Sequence, residues 1–277
     1  MRPKIMLLSA LVFVALMGLS FCLADASGAE NTSGVRSIVT SDTLLSGMIA
    51  SLLPPARYAV EAILPPAQCP GHYDVKLSDI EKVKKADLVA TFRGMPFMEK
   101  AGPGSRVQFF VEAGGRNWMA PNSYIHGLGY LADELAKCFP KDRKEIMKRK
   151  EDAIHKVQTK PNFLMKKIKR AGIYGKPVIA SAMQKEPLEW MGFRVVGAYG
   201  RPEAMSTRDV VRLTKIGKDQ QAIAVVDNLQ SGPDTGKGIA ETLQTPHIVL
   251  TNFPSHDGYL ATLEENVATV VTAVARK

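Results

Sequence analysis

The sequence has few cysteines and none of the common catalytic signatures. Of its three cysteines, Cys69 and Cys138 lie far apart and indicate no disulfide framework. They could pair in an oxidising compartment, or they could be two unrelated thiols. We find no paired carboxylates, no nucleophile elbow and no Ser/His/Asp order, so we predict that the chain is not an enzyme. The segment Gly232–Gly238 lacks the G-x-x-x-x-G-K-[ST] spacing of a phosphate loop, which favours a plain helix start.

The sequence also lacks nucleic-acid-binding signals, although it is basic. The chain has 36 Lys and Arg against 27 Asp and Glu, which gives a formal net charge of +9. A positive surface favours anionic ligands or an acidic membrane face, but charge alone identifies no partner. No RNA-binding motif and no interleaving of basic and aromatic residues is present, so we predict no nucleic-acid partner.

An apolar stretch near the N-terminus indicates export. Arg2 and Lys4 precede the run Ile5–Leu19, which is short for a membrane span, and A-D-A at 24–26 has the pattern of a cleavage site. We therefore expect a signal peptide at 1–26, a flexible leader at 27–34 and a periplasmic or otherwise extracytoplasmic mature protein. An uncleaved anchor is the alternative. Lipid attachment at Cys22 is disfavoured by the bulky residue before it.

Strand and helix patterns alternate along the mature chain. Strands are predicted at residues 35–41, 57–64, 86–91, 176–180, 193–199, 221–226 and 247–250. Helices are predicted at residues 42–53, from 78, from 122 or 123, at 186–191, 207–217, 238–243 and 259–276. Ser78 and Glu81 have the spacing of a capping box. In the charged helical stretch 141–170, Pro161 is expected to break or kink the helix.

This order predicts an α/β protein with two Rossmann-like β/α lobes. The N-terminal lobe is expected at 35–140, a linking helical segment at 141–174 and the C-terminal lobe at 175–277. Ligands of open α/β sheets bind at the carboxyl ends of the strands. Two such lobes facing each other therefore predict a ligand cleft between them.

Several segments resemble one family. Residues 65–80 read P-P-A-Q-C-P-G-H-Y-D-V-K-L-S-D-I, similar to the metal-binding loop P-P-G-A-D-P-H-x-Y-E-P-T-P-S-D-I of zinc/manganese-type (cluster A-I) substrate-binding proteins of ABC transporters. Further matches are A-D-L-V at 86–89, W-M-A-P at 118–121, G-F-R-V-V-G at 192–197, P-E-A at 202–204 and A-E-T-L at 240–243. Together they cover nearly the whole mature chain. The resemblance implies two β/α lobes braced by one long rigid helix, with a modest opening motion.

The metal ligands of that family do not carry over. The residues at the four corresponding positions are Gly71 with His72 beside it, Arg116, Ser181 or Gln184, and Asn252. A zinc site normally uses three or four imidazole, thiolate or carboxylate ligands, and an arginine cannot coordinate a metal ion. A metal site at these positions would require a rearranged loop around His72.

Cys69 and His72 are the remaining candidates for metal ligands. Their Cys-x-x-His spacing suits a soft ion such as copper(I) or zinc. The further donors that such a site needs are available only from elsewhere, for example Met183, Met205, His256 or Asp257. The alternative is that Cys69 shapes its loop and His72 forms local hydrogen bonds.

Arg116 and a set of amides suggest a different ligand. A planar guanidinium in a cleft is suited to a carboxylate or a phosphate, and Asn117 follows it directly. The side chains of Gln184, Asn228 and Asn252 stand at strand ends and suit a polar organic ligand. Each of these amides could equally stabilise its own loop. Trp118 is expected to pack in the core.

Three functions follow from these observations. The resemblance implies an extracytoplasmic substrate-binding protein that delivers a metal ion (zinc, manganese or copper) or a metal complex to the membrane permease of an ABC importer. The missing ligands favour the same fold with an anionic organic cargo held by Arg116 and the amides. An interaction protein with a vestigial cleft is the third possibility.

Overall fold

The computed structural model describes residues 34–101 and 108–275. The predicted signal peptide, Cys22 and nearly all of the predicted leader lie outside these residues. Within the described ranges, no helix is both long enough and apolar enough to cross a membrane.

Within residues 34–101 and 108–275, eight parallel strands form two sheets of four. The strands are β1 (Arg36–Thr40), β2 (Tyr58–Ala62), β3 (Leu88–Phe92), β4 (Gln108–Val111), β5 (Pro177–Ser181), β6 (Arg194–Tyr199), β7 (Val225–Asn228) and β8 (His247–Leu250). Their spatial orders are β2-β1-β3-β4 and β6-β5-β7-β8, so the second sheet repeats the topology of the first. Every pair within the two sheets is parallel. The predicted α/β class with two β/α lobes is confirmed.

Helices connect and cover the strands. They are α1 (Thr43–Leu52), α2 (Leu77–Lys85), α3 (Pro96–Ala101), α4 (Pro121–Cys138), α5 (Arg143–Arg170), α6 (Lys185–Trp190), α7 (Thr207–Asp219), α8 (Lys237–Leu243) and α9 (Tyr259–Ala275). Apolar residues at helical spacing explain the buried faces; in α1 these are Leu44, Leu45, Met48, Ile49 and Leu52. The long helix α5 stands between the two sheets in the chain and packs against α1, α4 and α9.

Ser78 was predicted to be the N-cap of α2, but the N-cap is Lys76, two residues earlier. The helix begins at Leu77, and the Asp79 carboxylate accepts a hydrogen bond from the Lys76 N–H at 2.9 Å. The same carboxylate accepts from the Tyr73 hydroxyl at 2.8 Å. Because Tyr73 holds Asp79 in place, Asp79 closes the first turn, and the Ser78–Glu81 capping box does not form.

Two other local expectations need correction. Helix α5 continues through Pro161, so the helix does not break there, and a kink at Pro161 stays a prediction. The strand expected from Gln221 begins only at Val225, because Gln221 has a φ of 54° and the Ala222 N–H donates to the Gly217 carbonyl at 2.8 Å. These residues therefore terminate α7 and do not extend β7. Helix α3 and strand β4 were not predicted at all.

The hydrophobic core joins the two lobes. One cluster of buried side chains includes residues of β1 and α4 as well as residues of β7, β8 and α9. A smaller cluster around Leu213 and Ile239 belongs to the second sheet alone. The lobes are therefore packed against each other through a common apolar interior.

Candidate functional site

A cleft lies between the lobes at the carboxyl ends of both sheets. Its volume is about 560 Å³. The residues lining it follow strands of both sheets and are Leu44, Pro70, Gly71, Phe92, Gly94, Met95, Pro96, Ala113, Gly115, Arg116, Asn117, Trp118, Ala182, Met183, Arg201, Asn228, Gln230, Ser231, Asn252 and Phe253. The cleft is where the strand order predicted it, because the loops after parallel strands meet at one edge of each sheet.

The predicted site residues divide into two groups. Arg116, Asn117, Asn228 and Asn252 line the cleft. The other three, His72, Cys69 and Gln184, are not among the residues that line it.

The amides form a connected cluster at the floor of the cleft. The Gln184 Nε2 donates to the Asn252 Oδ1 at 2.9 Å and lies 2.9 Å from the side-chain amide of Asn228. The Asn117 Nδ2 also donates to the Asn252 Oδ1, at 3.2 Å. Gln184 is fully buried, and its Oε1 has no hydrogen-bond partner among the described residues. These side-chain amides therefore form many of their hydrogen bonds with one another and have fewer donors and acceptors left for a ligand.

Glu186 ties the two lobes together beside the cleft. Its carboxylate accepts hydrogen bonds from the backbone N–H of Asn117 and from the hydroxyl of Ser123, both in the N-terminal half. The Asn117 Nδ2 also donates to the Met183 carbonyl. This half-buried carboxylate of α6 therefore accepts hydrogen bonds from two groups of the opposite lobe, one just before α4 and one in its first turn. We call this connection the Glu186 clasp.

Gln230 makes a second connection between the lobes. Its Nε2 donates to the Pro66 carbonyl at 2.6 Å and to the Thr251 hydroxyl at 2.6 Å. Its Oε1 accepts from the Asn252 N–H at 3.0 Å. The side chain therefore links the loop after β2 with the end of β8. Gln230 was missed from the sequence, where a single glutamine in a loop carries no distinguishing signal.

Cys69 and His72 do not form a metal centre with the other predicted donors. Cys69 is a free, half-buried thiol, so it does not pair with Cys138. His72 is exposed, and its Nε2 lies 3.9 Å from the Glu203 carboxylate. Met183 lines the cleft, whereas Met205 packs in the apolar cluster of the second sheet. Across residues 34–101 and 108–275, no group of three His, Cys, Asp or Glu residues is placed to hold a metal ion.

Two guanidinium groups line the cleft instead. Arg116 follows β4 in the first sheet, and Arg201 follows β6 in the second. In the described part of the chain, neither guanidinium has a hydrogen-bond or ion-pair partner. A Cβ atom added at Gly71 would lie 2.7 Å from the Arg201 Nη1, so the absence of a side chain at Gly71 makes room for this cation. Arg201 was missed from the sequence, although its position directly after a strand was a usable signal.

Trp118 forms part of the cleft wall and of the core. The side chain is 2% exposed, and its ring meets Phe92 edge-on at a centroid distance of 5.1 Å. The six-membered part of the indole ring lies against Gly127 of α4, where an added Cβ would be 2.7 Å away. The indole N–H has no acceptor among the described residues. Trp118 thus packs as expected, and it also leaves one buried donor unsatisfied beside the cleft.

Buried carboxylates elsewhere hold strand ends in place. Asp227 accepts from the Tyr199 hydroxyl at 2.7 Å and from the Gly236 N–H at 2.9 Å, and it lies 2.7 Å from the His247 Nε2. Burial, followed by the nearby Asp227 charge, raises the pKa of Tyr199 far above its ordinary range. Burial likewise raises the pKa of Asp42, which caps α1. None of these carboxylates lines the cleft.

Two parallel β/α lobes, a long helix between them in the chain and a cleft at the strand ends also occur in solved structures of metal-binding proteins. The fold that the resemblance implied is therefore confirmed. No protein-family model matches the sequence, and no curated protein matches it.

Individual solved structures align over most of the chain. A crystal structure of ZnuA shares 12% identity with a TM-score of 0.70, covering 87% of this chain and 100% of ZnuA. The Mn-bound periplasmic metal binding protein of Candidatus Liberibacter asiaticus shares 13% identity with a TM-score of 0.71, covering 86% of this chain and 99% of its own. The laminin-binding protein Lmb of Streptococcus agalactiae, described as a bifunctional protein with adhesin and metal transporting activity, shares 16% identity with a TM-score of 0.69, covering 87% and 100%.

Proposed function

We propose that this chain is an extracytoplasmic solute-binding protein that carries a small cargo in its interlobe cleft to the membrane permease of an ABC importer. The observation that carries this proposal is a cleft of about 560 Å³ at the carboxyl ends of two facing sheets. The cleft is lined by residues of both lobes, so a cargo bound there would contact both at once. The names of the similar proteins, which describe periplasmic metal binding and metal transport, support transport as the role. Binding without catalysis is part of the proposal.

A transition-metal ion is the second candidate cargo, because the similar proteins are described as zinc-bound or manganese-bound. The chemistry of the cleft speaks against a bare ion. The positions where the resemblance puts the first two ligands have no side chain at Gly71 and a permanent cation at Arg116. Asn252 offers an amide oxygen that already accepts two hydrogen bonds. Amide oxygens alone are poor ligands for zinc, which prefers imidazole, thiolate and carboxylate.

Analysis of the material that co-purifies with the exported full-length protein tests the proposed function. We expect native mass spectrometry to show a mass above that of the polypeptide, and denaturation to release a small molecule. Elemental analysis of the same sample separates a metal-containing cargo from a purely organic one. Removal of the cargo should lower the thermal unfolding midpoint, because a ligand that binds only the native state stabilises it.

The same measurements can contradict the proposal. A protein that carries nothing after mild purification, and whose unfolding midpoint responds to no metal ion, anion, cation or neutral solute, is not a solute-binding protein. That outcome would favour an interaction protein with a vestigial cleft. A zinc, manganese or copper ion bound stoichiometrically without an organic component would select the second candidate.

A further inference from the structure

The size of the cleft indicates a cargo of many atoms. Its volume of about 560 Å³ falls within the range of roughly 300 to 1,000 Å³ that is typical of sites for organic ligands. A single water molecule occupies about 30 Å³ of liquid, and a bare divalent ion occupies less. A lone ion would therefore leave most of the cleft to solvent, whereas a small organic molecule would fill it.

The charge of the cleft indicates the sign of the cargo. Its charged lining residues in the described part of the chain are Arg116 and Arg201, and no Asp or Glu accompanies them there. The two arginines approach from different lobes, after β4 and after β6. Because each guanidinium has a fixed positive charge and no partner in the described structure, a bound anion would gain charge-assisted hydrogen bonds without displacing an internal ion pair.

Gly71 connects this charge pattern to the resemblance. The position corresponds to the first metal ligand of the zinc/manganese-type proteins, and here the space beside its backbone holds the Arg201 guanidinium. Arg116 stands at the position of the second ligand. At the two positions where the similar proteins would bind a metal cation, this chain therefore has positively charged guanidinium groups. A divalent cation would be repelled from this cleft, and an oxyanion would be attracted.

Apolar side chains form another part of the cleft wall. The exposed Met183 and the apolar Phe253 and Phe92 leave surface for the nonpolar part of such a ligand.

We propose that Arg116 and Arg201 form an oxyanion clamp across the interlobe cleft and that the cargo is a small organic molecule bearing a carboxylate or a phosphate group. This proposal rests on the proposed function above and names the chemical class of its cargo. Each arginine binds the anionic group from one lobe, so binding the cargo also holds the two lobes together.

Thermal unfolding of the full-length protein with a panel of probes tests the clamp. The anionic probes are citrate, succinate, inorganic phosphate and glycerol 3-phosphate; glycerol, putrescine and zinc chloride represent neutral and cationic solutes. We expect at least one anionic probe to raise the unfolding midpoint, and isothermal titration to give its affinity. Comparison of succinate with glycerol 3-phosphate separates a carboxylate cargo from a phosphate cargo.

Arginine variants provide the decisive comparison. We expect Arg116→Ala and Arg201→Ala each to weaken binding of the effective anion by about tenfold or more, since each removes a hydrogen bond to a charged group. Arg194→Ala is the matched control: Arg194 is exposed at the start of β6, where its Nη1 donates to the Gln220 Oε1 at 2.8 Å, and it does not line the cleft. The midpoints of both cleft variants without ligand should equal that of the unaltered protein.

Each outcome decides between the two proposals. Stabilisation by glycerol, putrescine or zinc but by no anion leaves the solute-binding function intact and overturns the clamp. Anion binding that is equally strong in Arg116→Ala, Arg201→Ala and Arg194→Ala also overturns it. Failure of every probe to bind overturns the clamp, and it contradicts the proposed function as well only when the purified protein also carries no cargo.

Discussion

Some side chains around the cleft hold the protein together, and others are exposed to a bound ligand. Asn117 does both, because its amide group bonds to Asn252 while the residue lines the cleft. Glu186 connects the lobes through a single carboxylate, which accepts hydrogen bonds from Asn117 and Ser123 of the other lobe. At this scale, hydrogen bonds between the lobes add to the apolar packing that joins them.

Replacement of Glu186 by alanine should destabilise the protein. The substitution leaves the Asn117 N–H and the Ser123 hydroxyl without their acceptor, and Ser123 is fully buried. We expect the free energy of unfolding to fall by about 1–3 kcal/mol, measured by urea denaturation. The control is Glu189→Ala in the same helix, where an exposed carboxylate lies 3.8 Å from the Lys185 Nζ; we expect a change within about 0.5 kcal/mol. Equal effects of the two substitutions would show that the clasp contributes nothing.

Helix α5 has a sequence that does not favour one continuous helix. It is 28 residues long, strongly charged and contains Pro161 in its interior. A proline there removes one backbone donor and crowds the preceding turn. The helix nevertheless continues, because Ile146, Val157, Leu164 and Ile168 bury one face on both sides of the proline. Tertiary packing therefore overrides the local signal to break.

Replacement of Pro161 by alanine should strengthen the helix. Proline in a helix interior destabilises the helix by about 3 kcal/mol relative to alanine, so the substitution should stabilise the protein by that amount. It also removes about two buried methylene groups, which should destabilise the protein by about 1.6 kcal/mol. The control is Pro140→Ala: Pro140 is exposed at the first position of the turn before α5, where no N–H donor is needed. Both variants lose the restriction that proline places on the unfolded chain.

We therefore expect Pro161→Ala to exceed Pro140→Ala in free energy of unfolding by about 1 kcal/mol, measured by urea denaturation. A Pro161→Ala variant that is the less stable of the two would mean that the proline ring packs too well to be replaced.

At the scale of the whole molecule, two similar sheets share one interior. The larger apolar cluster runs from Ile38 in β1 to Ile248 in β8 and includes residues of α4, α5 and α9. Tyr124 of α4 and Tyr259 of α9 stack with ring centroids 3.7 Å apart, and burial raises the pKa of both hydroxyls above the ordinary range. A long helix packed on both sides limits relative motion, so we expect opening of the cleft to be small.

The shared core predicts that the lobes unfold together. The two tryptophans report on different lobes, since Trp118 precedes α4 and Trp190 ends α6. In Trp190→Phe, fluorescence follows the N-terminal lobe, and in Trp118→Phe it follows the C-terminal lobe. In each variant we expect the urea midpoint by fluorescence to coincide with the midpoint by far-ultraviolet circular dichroism. Two separated transitions in either variant would show that the lobes are independent units.

The sequence by itself determined the secondary elements of most of the fold. Strands such as Leu88–Phe92 and helices such as Thr43–Leu52 follow from side-chain periodicity, which is a local property of the chain. The misses fall where a distant contact decides the outcome. Tyr73 relocates the cap of α2, and packing carries α5 through Pro161.

The sequence named some of the residues that line the cleft, and only the tertiary structure decided which residues meet there. Arg116 was identified from the sequence because it lies two residues before W-M-A-P, at the position of a metal ligand. Arg201 also lies beside a matching segment, P-E-A at 202–204, but no ligand position falls on it, so it was missed. The Arg201 guanidinium lies beside Gly71, which has no side chain, only because the loops after β2 and β6 meet between the lobes. Contacts between residues far apart in the chain depend on the docking of the lobes, and no local pattern encodes that docking.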